Sequence, residues 1–282
     1  MIEQIDTRYK GIANAICCHR IGDVLIDCGP AASIDNVIDA LGDLVPSVLL
    51  LTHVHLDHAG GAGGLVEHFP ELRVYIHEDA VKHLIDPSRL LASAERVFGE
   101  RIAEWGETLP VPAENVHAIS PGDVIEGLEA IPTPGHSGHH LAFFHELSKT
   151  ALVGDLVGQA LAPHHLTLMS TPPPEIDVEQ WLASIDRVAE RYPSTLALTH
   201  FGRITDVAGQ CERAKRELRR GSEHAREDNQ EQFVTYLERE LETVPPEVAE
   251  SLVSSLPSLD QLYLGYDRYW SKRTGAETAA GG

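Results

Sequence analysis

Short apolar runs separated by glycine and proline breaks dominate the first two hundred residues of the chain. Two such runs flank Gly22-Asp23 in AICCHRIGDVLIDCGPA, which is typical of two strands joined by a turn. The segment SVLLLTH lacks alternation, as expected of a strand buried on both faces. Further strands are predicted at RVYIHE, LAFFHE, TALVGD and STLALTH, and within VHAISPGDVIEGLEAIPTPGH on either side of a turn at Pro121-Gly122-Asp123.

Helical patterns separate these strands and later replace them. We predict helices from Ser33 to Gly42, after His58 and from Val178 to Arg191, and almost continuous helix from Thr205, broken at Pro245-Pro246. Residues 79–109 are also helical in pattern and exceed what a connection requires. This stretch is therefore interpreted as a lid or substrate-pocket insert.

The order of elements predicts an α/β sandwich followed by a helical cap. We divide the chain into a sandwich domain at 1–205 with its insert at 79–109, a helical extension at 206–273, and a disordered tail at 274–282. Aromatic side chains in the extension are best explained by packing against the sandwich. A cap over the active site and a dimer contact are the alternatives.

Charge and hydropathy narrow the set of partners. A net charge of −21 without a basic cluster excludes a nucleic-acid surface. No stretch approaches the roughly 18 apolar residues of a membrane helix, and the polar N-terminus does not resemble a signal peptide. We therefore expect a cytoplasmic protein with a small-molecule substrate and no membrane partner, and a homodimer remains an open alternative.

Four residues with metal-binding side chains follow the strand predicted at SVLLLTH. His53 and His55 have the spacing that places two side chains on the same side of an extended segment. Asp57 and His58 follow where the chain turns into a helix, beside two glycines that permit a tight turn. Imidazole and carboxylate groups together suit zinc, manganese or iron.

Three more such residues follow other predicted strands. His136 comes after an apolar segment and a Pro-Gly turn, Asp155 ends TALVGD, and His200 ends STLALTH. The ends of strands are where α/β sheets collect functional groups. One histidine at a strand end is usually a satisfied or solvated side chain, but seven such residues in order argue against coincidence.

These motifs, HVHLDH, PTPGHSGHH, GD and THFG, resemble the metallo-β-lactamase superfamily in order and spacing over about the first 205 residues. The resemblance implies an αββα sandwich with two metal ions at one edge of its sheets. It also implies which residues hold them. The first ion would be held by His53, His55 and His136, and the second by Asp57, His58 and His200, with Asp155 bridging the two.

The activity that this resemblance implies is hydrolysis by a metal-bridging hydroxide. The bond cleaved would be an ester, a lactone or a thioester, with a phosphodiester ranked behind them. Two divalent ions are expected, zinc first, with manganese and iron as alternatives. Asp57 would ligate and orient the hydroxide. His139 and His140 are candidates for leaving-group proton donors or for contacts behind the ligands, although surface positions explain each equally well.

Several branches of the superfamily fit the sequence poorly. Secreted β-lactamases usually lack the bridging aspartate, and flavodiiron enzymes carry glutamate at the position of His55 and a flavodoxin domain. The nucleic-acid-cleaving branches need basic surfaces or a second domain. The glutathione-binding pattern expected of glyoxalase II is not recognisable, which leaves other thioesters open. The TPGHSGHH segment also resembles that of acyl-homoserine lactonases.

Two other classes of function remain open. A persulfide dioxygenase would bind one iron through His53, His136 and Asp155 and would keep the remaining histidines. A binding protein without catalysis is the third class, which the intact ligand set disfavours.

Overall fold

Within residues 2–227 and 229–280, the part of the chain that the computed structural model describes, two mixed sheets of six strands pack face to face. The first sheet has its strands in chain order, antiparallel from β1 to β3 and parallel from β3 to β6. These strands are β1 (Ile2–Asp6), β2 (Cys17–Ile21), β3 (Val24–Ile26), β4 (Val48–Leu50), β5 (Arg73–His77) and β6 (Val116–Ile119).

The second sheet has the order β12-β11-β10-β9-β8-β7, and its neighbouring strands are antiparallel except for the parallel pair β10 and β11. Its strands are β7 (Val124–Ile125), β8 (Leu128–Pro132), β9 (Leu141–His145), β10 (Thr150–Gly154), β11 (Thr195–Leu198) and β12 (Gly202–Ile204). The edge strands β1 and β12 were not predicted from the sequence.

The apolar core between the sheets explains why β4 lacks alternation. Val48 and Leu50 pack in the layer between the two sheets, where Phe143 and Leu152 meet them from the second sheet. Leu49 points to the opposite face, against the helices outside the first sheet. Every residue of β4 is fully buried, so both of its faces must be apolar.

Helices cover the outer faces of both sheets, so the predicted αββα sandwich is confirmed. Helices α1 to α4 and α6 to α10 pack through two further apolar clusters, one on each sheet. The helices are α1 (Ile34–Leu41), α2 (Leu56–Ala59), α3 (Ala62–His68), α4 (Val81–Ile85), α5 (Ser88–Phe98), α6 (Val178–Ala189), α7 (Val207–Glu227), α8 (Gln230–Leu241), α9 (Pro246–Val253) and α10 (Leu259–Ala280). None of the helices described here is long and apolar enough to cross a membrane.

The predicted insert at 79–109 contains α4, α5 and a 3₁₀ helix that ends at Trp105. Trp105 stacks on Tyr9 with ring centroids 4.9 Å apart, which attaches the insert to the loop after β1. The proposed domain boundaries stay a prediction. The tail predicted to be disordered, 274–282, falls on the last turns of α10 and on two residues outside the described range.

Helix α10 packs closely against the loop before α6, and this close contact depends on Gly265. A Cβ atom at this position would lie 1.9 Å from the carbonyl oxygen of Thr171, so the helix or that loop would have to move. We expect Gly265→Ala to lower the free energy of unfolding by about 1–3 kcal/mol, the usual cost of overpacking. Urea denaturation of the two proteins measures this difference.

Gly64 in α3 is the matched control, because a Cβ there would meet Ile34 only at 3.6 Å, an ordinary contact. Replacing a helical glycine by alanine then stabilises by about 0.5–1 kcal/mol through the unfolded state. Equal effects of Gly64→Ala and Gly265→Ala would contradict the close packing of α10.

Candidate metal centre

Seven histidine and aspartate side chains converge at one edge of the sandwich. Each lies in a segment that follows β4, β8, β10 or β11, so both sheets contribute to the same edge. The structure thereby brings together all of the residues that the sequence singled out as metal ligands. They form two groups, His53, His55 and His136 in the first and Asp57, His58, Asp155 and His200 in the second.

The first group consists of three imidazoles. One ligand atom from each lies within 4.8 Å of the others, and His136 Nε2 is 2.9 Å from His55 Nδ1. His53 Nε2 is buried and has no hydrogen-bond partner within the described residues. A buried nitrogen atom without a polar partner, close to two other imidazoles, fits a shared cation.

The second group adds two carboxylates to two imidazoles. Asp57 Oδ2 lies 3.2 Å from His200 Nε2, and Asp155 Oδ1 lies 3.1 Å from His58 Nε2. The other oxygen of Asp155, Oδ2, is 3.2 Å from His136 Nε2 in the first group. Asp155 therefore lies between the two groups and contacts both. The donor set of nitrogen and carboxylate oxygen atoms fits divalent metal ions.

Polar contacts behind the site determine which ring nitrogen faces the ligand groups. A histidine that binds metal through one nitrogen is commonly held by a hydrogen bond at the other. Here four Nδ1 atoms are held and their Nε2 atoms are left to face the groups. The contacts are His53 Nδ1 with Thr52 Oγ1 (3.1 Å), His58 Nδ1 with Asp27 Oδ2 (2.7 Å), His136 Nδ1 with Ser170 O (2.9 Å) and His200 Nδ1 with Ala15 O (3.1 Å).

Asp27 is a buried carboxylate beneath the site, with 1% of its surface exposed. Its Oδ1 accepts hydrogen bonds from the Thr52 amide and hydroxyl, and its Oδ2 accepts one from the Thr199 hydroxyl besides contacting His58. Asp27 was not among the residues predicted from the sequence. An acidic residue at the end of the apolar strand VLID was the available signal, because a carboxylate there needs partners.

In the metal-free chain, the histidines of the first group have lowered pKa values and those of the second group that face Asp155 and Asp57 have raised ones. Burial and the neighbouring histidines lower the pKa of His53, and the same causes lower the pKa of His55 to about 3. Burial opposes charge on His58 and His200 as well, but Asp155 and Asp57 outweigh it there. These carboxylates raise the pKa of His58 well above its ordinary value and that of His200 to about 9.

His139 and His140 lie close to the two groups but belong to neither. His140 is buried behind Asp155, where its Nδ1 contacts Thr133 Oγ1 at 2.7 Å and its Nε2 accepts a hydrogen bond from the Asp155 amide at 3.2 Å. His139 Nε2 accepts a hydrogen bond from the Val54 amide at 3.3 Å, and its ring lines a cleft beside the site.

An apolar cavity of about 90 Å³ adjoins both groups through His55 and Asp57. Its walls come from α5, from the 3₁₀ helix that ends at Trp105, from the loop before α6 and from the α9–α10 turn. The wall residues are Leu90, Ala94, Val97, Phe98, Trp105, Pro172, Pro173, Pro174, Ser255 and Pro257. Ser255 Oγ also lies 3.2 Å from His200 Nδ1, so the turn between α9 and α10 contacts the second group through a residue that was not singled out from the sequence.

Several known proteins are similar to this chain in sequence or in fold. Hydroxyacylglutathione hydrolase of Yersinia pestis is 29% identical over 173 residues, 61% of this chain and 54% of that protein, so the chain spans about half its length. The archaeal superfamily protein ST1585 from Sulfolobus tokodaii has a TM-score of 0.66 at 22% identity, covering 78% of this chain and 85% of its own. TTHA1623 in a di-iron-bound form has a TM-score of 0.50 at 26% identity, covering 66% and 85%.

The family model of the metallo-beta-lactamase superfamily matches residues 18–200, which span most of both sheets and all seven residues of the two groups. This match covers well over half of the chain. The chain belongs to the metallo-β-lactamase superfamily.

Proposed function

We propose that the chain is a dinuclear metal-dependent hydrolase that cleaves an ester, lactone or thioester bond of a small molecule. The observation that carries the proposal is the position of Asp155 between two complete ligand groups. Membership of the superfamily supports hydrolysis in general. The likeness to hydroxyacylglutathione hydrolases supports an acyl bond, and the di-iron form of TTHA1623 supports two ions in this fold.

In this proposal His53, His55 and His136 hold one ion, Asp57, His58 and His200 hold the other, and Asp155 binds both. When bound, two divalent ions supply a hydroxide at neutral pH and polarise the carbonyl oxygen of the substrate. Zinc is the first expectation, with manganese and iron as alternatives.

Asp57 is the ligand suited to orient the attacking water. Its side chain is 15% exposed and lines the apolar cavity, whereas Asp155 is 2% exposed and surrounded by histidines. Only one Asp57 oxygen approaches His200, so the other can accept a hydrogen bond from a water molecule in the cavity. Asp57 thus combines ligation with positioning of the nucleophile.

The two histidines after His136 have separate roles in this proposal. His140 holds the backbone of Asp155 and acts through it, because both of its nitrogens already have partners. Burial and nearby His77 lower the pKa of His139 to about 4, so it is neutral at pH 7. In this role its Nδ1–H donates a hydrogen bond to the leaving group. A neutral imidazole is a weak acid, so His139 stabilises the leaving group without transferring that proton.

The first experiment is elemental analysis of the purified protein together with assays on lactones, esters and thioesters. We expect two equivalents of divalent metal per chain and hydrolysis that disappears on chelation and returns with added metal. Asp57→Ala should abolish turnover while the protein stays folded, because the change removes a ligand and no core volume. Circular dichroism checks the fold.

Asp43→Ala is the control, because Asp43 is exposed and lies outside both groups. Full activity of Asp57→Ala would contradict the dinuclear mechanism. One equivalent of iron, with oxygen uptake on glutathione persulfide and no hydrolysis, would instead establish the dioxygenase alternative.

Metal uptake by the second group should depend on pH more steeply than uptake by the first. His58 and His200 carry protons at neutral pH in the metal-free protein, so an incoming ion must displace them. Affinity of the second group should therefore rise with pH up to about 9, the pKa of His200, and fall as the pH drops. His53 and His55 are neutral at pH 7 and release no proton.

Zinc titrations of the metal-free protein by calorimetry at pH 6, 7 and 8 measure both affinities. We expect the weaker step to strengthen by about tenfold per pH unit for each displaced proton, with the tighter step nearly constant. Two steps with the same pH dependence would contradict the different protonation of the groups.

Ser255 should matter for the second ion because its hydroxyl contacts His200 Nδ1. Removing a contact of this kind typically weakens metal binding by about 10–100-fold. We expect Ser255→Ala to weaken zinc binding by the second group by about tenfold. This is the lower end of that range, because Ala15 O also contacts His200 Nδ1. The neighbouring Ser254→Ala is the control, since Ser254 bonds only within its own turn. Equal effects of Ser255→Ala and Ser254→Ala would exclude a role for the contact between Ser255 and His200 in zinc binding.

A further inference from the structure

Two cavities of different chemistry meet at the ligand groups. The apolar cavity borders His55 and Asp57, and a second cleft borders His55, His136 and His139. Both share Leu90 and Ser93 of α5 and the proline run at 172–174. A molecule bound across His55 would therefore have one end in each cavity, with its middle beside the ligands.

The first cavity offers no positive charge to a substrate. Apart from Asp57 and His55 its walls are aliphatic, aromatic, proline and serine side chains. An anionic group placed there would lose its hydration without a counter-ion, which is strongly unfavourable. This cavity suits a short apolar acyl group.

The second cleft carries three permanent cations, Lys82, Arg89 and Arg96, against the carboxylates of Asp79 and Glu175. All three cations make no ion pair or hydrogen bond with other described residues, so their charges are available to a ligand. Lys82, Arg89, Arg96 and both carboxylates are exposed, so solvent screens all of these charges alike, and the cations outnumber the carboxylates in the cleft. The chain as a whole has a net charge of −21, whereas this cleft has a local excess of positive charge.

Adjacent faces of helix α5 line the two cavities, and Leu90 and Ser93 line both. Leu90, Ala94 and Val97 have the four- and three-residue spacing of one helical stripe, and all three line the apolar cavity. Arg89 and Arg96 are two turns apart on the adjacent stripe and line the cleft. The insert thus presents an apolar face to one cavity and a cationic face to the other, and the two cavities meet at Leu90, Ser93 and His55.

We infer that the substrate is an acyclic ester or thioester with a short apolar acyl group and an anionic alcohol or thiol half. This inference rests on the proposed hydrolase activity and names its substrate class. The acyl chain occupies the apolar cavity, the scissile carbonyl lies beside His55 and Asp57, and Arg89 and Arg96 bind the anionic half. Arginine suits this task because its planar group pairs with a carboxylate or a phosphate through two hydrogen bonds.

The reaction is a hydrolysis and needs no further reactant. The oxygen of water forms a bond to the acyl carbon, and the carbon–sulfur or carbon–oxygen bond breaks with its electron pair on the leaving atom. One proton of the water goes to the thiol or alcohol product, the other is released to solvent, and the acid product leaves as a carboxylate. The anionic half then departs from the basic cleft.

The test compares three thioesters on the metal-loaded protein. They are the butyryl thioester of N-acetylcysteamine, which is neutral, the butyryl thioester of 3-mercaptopropionate, which has an anionic thiol half, and the succinyl thioester of N-acetylcysteamine, which has an anionic acyl half. We expect kcat/KM to be about tenfold higher for the mercaptopropionate compound than for the neutral one at low salt, and this advantage to shrink with added salt. The succinyl compound should be the poorest.

The double variant Arg89→Ala, Arg96→Ala should remove this advantage by raising KM for the anionic thioester about tenfold, with its kcat and the neutral substrate nearly unchanged. Arg101→Ala is the matched control, because Arg101 lies on the same insert, pairs with Glu104 and lines neither cavity. Equal rates for the neutral and anionic thiol halves, or the same loss in Arg101→Ala, would overturn the substrate class but leave the hydrolase. Failure to cleave any ester, lactone or thioester with two metals bound would overturn the hydrolase itself.

Discussion

The buried carboxylate of Asp27 joins three chain segments at the edge of the sandwich where the ligand groups lie. It accepts hydrogen bonds from Thr52 after β4 and Thr199 after β11, and it contacts His58 in α2. An unpaired buried carboxylate is strongly unfavourable, so the fold is stable only when these partners are in place. Asp27 therefore adds to the backbone hydrogen bonds that join the two sheets at this edge, from Leu141 N to Thr52 O and from Cys17 N to Thr199 O.

This arrangement explains the division of the site into neutral and charged imidazoles. Asp27 and Asp155 contact opposite nitrogens of His58 at 2.7 and 3.1 Å, so the ring lies between two negative charges. His53 has no such neighbours and faces other histidines instead. In the metal-free chain, protons on the histidines of the second group therefore balance the negative charges that a bound cation would otherwise balance. The acidic side chains that prepare the site for an ion also make that ion compete with protons.

The sandwich and the residues that form the two groups could be predicted from the sequence because each of those signals is local. An apolar run followed within a few residues by histidine or aspartate needs no knowledge of the rest of the chain. The contacts behind the ligands are not local. Thr199 and Asp27 are 172 residues apart, and Ser255 and His200 are 55 residues apart, so no spacing rule could pair them. The three-residue strand β12 is too short to show a pattern of its own.

The residues around the ligands indicate where specificity can change without loss of chemistry. The seven ligand-type residues lie within the segment that matches the superfamily, but Ser255 and Pro257 of the cavity wall come from beyond it, and α5 belongs to the predicted insert. Helix α5 has no fully buried residue, and although Leu90 packs against the cluster on the first sheet, the exposed side chains of Arg89 and Arg96 can change without disturbing the core. Ser255 differs because it contacts His200 as well as the cavity. A substitution there would alter the ligands together with the pocket, which makes α5 the better place for a change of substrate.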